Sequence, residues 1–267
     1  MNPEDLDRAA YQCGRRFLLE YPGITDAIVE QHLVPVIVLE SATINDAYRR
    51  LVFSAQNAQM MPRVIGQAIG GIDRLAPLLF DFNPMRVAAR GWSAEELMQH
   101  IRDELQPTGK VLVGRKSLWP RFCRAVVSGA TFLAQFESMQ DFRKWVDFFD
   151  KDDRARAALP MIMDHEVDGI GFALACDFLK EIGYVNFSKP DVHLKVIFSD
   201  LGLTRTTHDY DVFKAVARMA ESVQVSPYAV DKLFWLIGSG RFYLIDIKFP
   251  GRREEFIARC KSELGLP

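Results

Sequence analysis

Val167-Asp168-Gly169-Ile170-Gly171-Phe172-Ala173, followed by Ser188-Lys189-Pro190-Asp191-Val192-His193-Leu194, decides how this 267-residue chain is read. A helical segment reaching Glu166 meets a Gly-x-Gly turn, and a second apolar helix over 172–182 stops at Gly183. Two glycines around one apolar residue let the backbone reverse tightly. They also leave amide N–H groups free at the start of the second helix, where the helix dipole favours an anion such as phosphate. Then comes Asp191, at the first turn of a helix and directly after a proline. Read alone, the turn suits any tight pair of helices, and Asp191 suits an ordinary N-cap.

Outward from this stretch the periodicity stays helical, so the chain reads as mainly α. Over 191–201, Val192, Leu194, Ile197, Phe198 and Leu201 share a face, and Gly202 suits a left-handed C-cap. Asp209 is placed to cap the next helix, with Val212, Phe213, Val216, Met219 and Ala220 at helical spacing. Ser226-Pro227 opens another helix through Val230, Leu233, Phe234 and Ile237 to Gly238, and a last helix covers 253–263. Upstream, helices are expected over 3–20, 25–32, 44–58, 94–104 and 121–136. Two runs rich in β-branched and aromatic residues, 34–39 and 242–247, are candidates for one or two short strands. No repeat, low-complexity segment or interdomain linker interrupts the chain.

Composition sets the bounds. Hydrophobic residues at 49% and charged residues at 25% are soluble-globular values, and no apolar run is long enough to span a bilayer. The acidic start Met1-Asn2-Pro3-Glu4-Asp5 carries no secretory pattern, so an intracellular protein is expected, cytoplasmic or nucleoid-associated. The four cysteines, Cys13, Cys123, Cys176 and Cys260, are scattered and form no metal-binding pair. A net charge of -2 is not that of a general nucleic-acid binder, but the average hides an asymmetry. Lys110, Arg115, Lys116, Arg121 and Arg124 stand in 107–136 without an acid, and Arg49, Arg50, Arg63, Arg74, Arg86 and Arg90 dominate 48–90. Such stretches suit phosphate contacts, whereas acids outnumber bases over 137–181.

The hairpin, the helix after it and the Asp191-x-His193 helix start together resemble the helix-hairpin-helix DNA glycosylases, nearest to their 8-oxoguanine glycosylase-like branch. The close match spans 167–202. A looser one is Phe53-Ser54-Ala55-Gln56-Asn57-Ala58-Gln59-Met60, similar to the Ser/Gln/Asn-rich helix these enzymes press into the duplex. The resemblance implies a single domain of two helical lobes with a DNA-binding cleft between them, one lobe near 44–150 and the other formed by 1–43 and 151–267. It implies Asp191 as the catalytic carboxylate, facing the sugar of a flipped nucleotide and stabilising the oxocarbenium charge that grows as the base departs. Gly169, Ile170, Gly171, Phe172, Ala173 and His193 become DNA-backbone contacts, and Gln56, Asn57 and Gln59 contacts to base edges or the orphaned base. Met60 and Met61 become a wedge. In 228–235, Phe234 belongs to the core by spacing, which leaves Tyr228 and Trp235 to stack against a base.

The resemblance further suggests a monovalent cation on the carbonyls of Val167 and Ile170. No other cofactor is expected, and the iron–sulfur cluster of some relatives lacks its cysteines, since only Cys260 lies in that region. Relatives that also cut the strand carry a lysine two residues after the second hairpin glycine; here that position is Ala173. The expectation is therefore a monofunctional enzyme, monomeric, acting on double-stranded DNA with a damaged or modified base. Lys189 and Lys195 flank Asp191, and Lys195 reads as an i,i+4 ion pair with it. Two alternatives remain open: a glycosylase with lyase activity on oxidised guanine, and a catalytically silent helix-hairpin-helix DNA-binding module.

Overall fold

The computed structural model describes residues 2–35, 42–58 and 62–267, with the backbone alone at 62 and 63. It is mainly helical, and its described elements fall into two units, one formed by Met1–Ile37 with Gly183–Pro267 and the other by Val38–Ile182.

The first unit contains α1 (Pro3–Leu18), α2 (Asp26–Leu33), α11 (Val192–Asp200), α12 (Asp209–Val223), α13 (Pro227–Ser239), α14 (Arg253–Leu264) and a small hairpin. Its centre is α13, which is apolar around most of its circumference and packs against α1, α2, α11, α12 and α14. Phe234 sits edge-on to Phe198 of α11 at 5.2 Å, and Phe256 of α14 meets both Phe234 and Phe17 of α1. Gly14 lets α1 approach closely, because a Cβ there would lie 3.3 Å from Leu233 and Ile237. α1 is further tied to α12 by Arg218, which donates to both oxygens of the fully buried Asp7 at 2.7 and 2.9 Å.

The second unit runs from α3 (Ile44–Ala55) and the short α4 (Pro62–Ile65) through two 3-10 turns to α5 (Pro84–Arg90) and α6 (Ala94–Leu105). It continues with α7 (Leu118–Leu133), α8 (Met139–Asp150), α9 (Ala158–Glu166) and α10 (Phe172–Glu181). Here α7 is the central helix, packed by α3, α5 and α6, with Trp119, Phe122, Val126, Ala130 and Leu133 all buried. Tyr48 of α3 donates its hydroxyl to the Val126 carbonyl at 2.8 Å, so the polar tip of a buried ring is satisfied. Phe178 of α10 meets Phe142 of α8.

The hairpin clusters with 38–182 and not with the unit that carries Asp191, because α10 buries its apolar residues against α9 and α3. The run 242–247 carries the two short strands expected of it at its ends. Its ends pair across a tight reversal as β1 (Arg241–Phe242) and β2 (Ile247–Lys248), with Asp246 in the left-handed region. The other strand candidate lies outside the described residues from 36 onward, and Val34 caps the end of α2. α13 continues past Gly238 to Ser239 and ends on Gly240, whose positive φ supplies the left-handed cap.

Replacing Arg218 with Met leaves the Asp7 carboxylate buried without its guanidinium. A loss of about 3 kcal/mol, measured by urea denaturation, is expected from removing one partner of a buried pair.

Candidate active site

Asp191 is the N-cap of α11. Its Oδ1 accepts the amide N–H groups of His193 at 2.8 Å and Leu194 at 3.1 Å, and Oδ2 takes no part in that cap. Capping and chemistry are therefore not alternatives here, since the cap fixes the carboxylate through one oxygen. The residue is 8% exposed, and burial raises its pKa above the usual carboxylate value, with the charge of Asp231 adding to the rise. The Leu194 N–H, His193 and Lys189 act in the opposite direction.

The segment before Asp191 is held at several points. Phe187 is fully buried and meets Phe213 of α12. The Tyr228 N–H at the start of α13 donates to the Val185 carbonyl at 2.9 Å, and the Lys189 N–H donates to Asp231 Oδ2 at 2.8 Å. Asp231 lies on the buried side of α13 and is 2% exposed.

His193 lies half-buried over Gly238, where an added Cβ would overlap its ring. Its Nδ1 has no hydrogen-bond partner among the described residues, and burial lowers its pKa, favouring neutral imidazole. The expected ion pair between Lys195 and Asp191 does not form. Lys195 pairs with Asp209 of α12, and His208, not Asp209, holds the N-cap position of that helix. Tyr228 is buried at 3% exposure and offers no open face to a base, whereas Trp235 is half-buried. Both rings, with Tyr243, surround the Lys232 ammonium at 5.2, 5.7 and 4.9 Å.

In the other unit, Gly169 adopts φ +100°, and a Cβ there would lie 2.5 Å from the Arg121 carbonyl. Only glycine satisfies both conditions. The Ile170 N–H closes the turn on the Val167 carbonyl at 3.0 Å, with both side chains buried. Gly171 is the N-cap of α10 and gives no side-chain cap, so the amides of the first turn are left to other acceptors. Two arginines of α7 brace the turn: Arg121 Nε donates to the Gly169 carbonyl at 3.0 Å, and Arg124 pairs with Asp168 at 2.9 Å. Ala173 stands half-exposed in the first turn of α10. α3 ends at Ala55, short of the expected 58. Gln56 is its buried C-cap at 5% exposure, because the chain leaves the helix there, and Asn57 is half-buried. Gln59, Met60 and Met61 lie outside the described residues.

Sequence reasoning missed Asp231. It sits among the apolar residues of α13 and its partner amide is far away in the chain, so the only available signal was an acid on a buried helical face.

No protein family and no curated protein matches this chain in sequence. In structure it is similar to an 8-oxoguanine glycosylase/lyase of Methanocaldococcus jannaschii, solved in complex with a 15mer DNA containing 8-oxoguanine. The TM-score is 0.55 and the identity 14%, over 85% of this chain and 98% of that one. At that identity the likeness establishes a shared helical fold.

Two substitutions probe the site. Gly169→Ala is expected to lower stability by about 2–4 kcal/mol in chemical denaturation, through positive-φ strain and overlap with the Arg121 carbonyl. Asp191→Asn keeps a good N-cap acceptor and removes a buried charge. Because the folded-state pKa of Asp191 is raised, its ionised form opposes folding once pH exceeds the unfolded value. The Asn variant should therefore melt a few degrees higher at pH 7 and no higher near pH 3, as read by calorimetry.

Proposed function

We propose that this protein is a DNA glycosylase that hydrolyses the N-glycosidic bond of a flipped damaged or modified base in double-stranded DNA, with Asp191 as the catalytic carboxylate. The observation that carries the reading is the carboxylate itself: buried, capped through Oδ1, and set at a helix start in a fold shared with a glycosylase/lyase. As the bond to the base breaks, the sugar approaches an oxocarbenium ion. A carboxylate in a water-poor site stabilises that charge more than the neutral ground state, and in this reading the oxygen outside the cap orients a water for attack. The raised pKa moves the acid limb of activity above the ordinary carboxylate range.

The α9–α10 hairpin and the α7 arginines that brace it supply the phosphate contacts in this reading. A cation at the Val167 and Ile170 carbonyls is not needed for it. The Val167 carbonyl already closes the turn, and Arg121 places a fixed positive group on the adjoining carbonyl. Ala173 removes the amine that would form a Schiff base from the hairpin, which supports plain hydrolysis to an abasic site. The lyase reading is favoured by one observation, the structural likeness to a glycosylase/lyase.

Duplexes carrying a panel of single lesions, incubated with the protein and heated in alkali, are expected to break at one class of lesion. Asp191→Asn should reduce base release by about 100-fold or more while DNA affinity stays within a few-fold. Borohydride should trap no covalent adduct. A trapped adduct turns the reading to a lyase, and intact strands on every lesion turn it to a silent DNA-binding module.

A further inference from the structure

We propose that Asp231 is a positioning residue for Asp191: from the buried side of α13 it holds the Lys189 amide, fixes the turn that delivers Asp191 to the start of α11, and sets a second buried acid beside that turn. This rests on the glycosylase reading for its catalytic meaning, though not for its structural part.

The geometry is a clamp. The chain between Gly183 and Asp191 has no regular secondary structure, yet its course is fixed twice by α13, through Tyr228 N–H to Val185 and through Lys189 N–H to Asp231. Asp191 N–H in turn donates to the Lys189 carbonyl at 2.8 Å, so the residue held by Asp231 is the one against which Asp191 folds back. Nothing in helix formation calls for an acid at 231. Its neighbours Val230 and Leu233 are fully buried, and a carboxylate among them loses solvation unless it is put to use.

Two effects follow. Held by a hydrogen bond from α13, the turn keeps Asp191 Oδ1 on its two amides and keeps Oδ2 in one place. With a second acid bonded to the amide two residues before it, Asp191 becomes more basic, and the added negative potential favours an adjacent sugar cation more than one carboxylate would. The other charged groups around α11 do not supply this. Lys189 and His193 lower the Asp191 pKa, Lys195 is paired with Asp209 of α12, and Arg253 and Glu254 of α14 act on His193 with opposite signs.

Substitution separates the two effects. Asp231→Asn keeps an acceptor for the Lys189 amide and removes the charge; Asp231→Ala removes both. Carboxyl-carbon NMR titration of Asp191 in the full chain, without DNA, should show its midpoint moving to lower pH in Asp231→Asn. Hydrogen exchange of the Lys189 amide should stay slow in Asp231→Asn and become at least 10-fold faster in Asp231→Ala. On the lesion found active, Asp231→Asn should move the acid limb of kcat to lower pH and reduce kcat by about 10-fold, with lesion affinity unchanged. An unmoved Asp191 titration, or a Lys189 amide equally protected in Asp231→Ala, overturns the proposal. If the wild-type chain releases no base from any lesion, the glycosylase reading falls, and the titration and exchange measurements still decide whether Asp231 holds this turn.

Discussion

The site depends on one arrangement, a carboxylate bonded by the free amides at a helix start and shut away from water. The amides of His193 and Leu194 have no partners within α11, so they bind Asp191 Oδ1 whatever else the residue does. That bond fixes the side-chain rotamer, and burial removes the solvent that would otherwise screen the charge. A flexible surface aspartate has neither property. What makes the position fit for chemistry is thus the same local physics that makes it a good cap, with one oxygen left outside the bond.

α13 makes this possible from below. Its apolar circumference lets α1, α2, α11, α12 and α14 gather around it, and small residues admit close neighbours: Gly238 receives the His193 ring, while Gly14 of α1 admits Leu233 and Ile237. The same helix carries Asp231 toward the turn before α11 and Trp235 toward Lys232 and Tyr243. One post therefore sets both the backbone that presents Asp191 and the aromatic surface near its end. In the other unit α7 plays the comparable part. It supplies the core beneath the hairpin and two guanidinium groups that brace it.

What was legible in the sequence was mostly local. Asp191 as a helix start, Ser226-Pro227 as another, and Gly169 as a residue that must be glycine all rest on short-range backbone chemistry, and each stands where expected. What was not legible depends on neighbours distant in the chain. Lys195 chose Asp209 on the next helix over Asp191 one turn away, because an ion pair follows side-chain reach across a packed surface and not sequence spacing alone. Tyr228 reads as a stacking surface until α13 is seen to be buried around it. The hairpin reads as a companion of Asp191 by proximity in sequence, but α10 buries its apolar residues on α3 and α9. Asp231 was invisible for the same reason.

The choice of aspartate at 191 argues for use over stability. The other side chains that cap a helix N-terminus among the described residues are neutral, Asn2, Thr25, Thr43, Asn83, Ser93, Ser138 and Ser226, all exposed or half-buried. An asparagine at 191 would serve the two amides about as well and would carry no charge into the interior. The chain instead places an ionisable acid where burial opposes its ionisation, and within the field of a second acid that opposes it further. Two buried acids working against each other weaken a fold. On the proposed glycosylase reading they strengthen the site, because the potential that is unfavourable in the empty protein becomes favourable when positive charge appears on a bound sugar. Perturbed carboxylates also occur in purely structural ion networks, but those are built around a cation. Here Lys189 and His193 lower the Asp191 pKa without offsetting the combined effect of burial and Asp231.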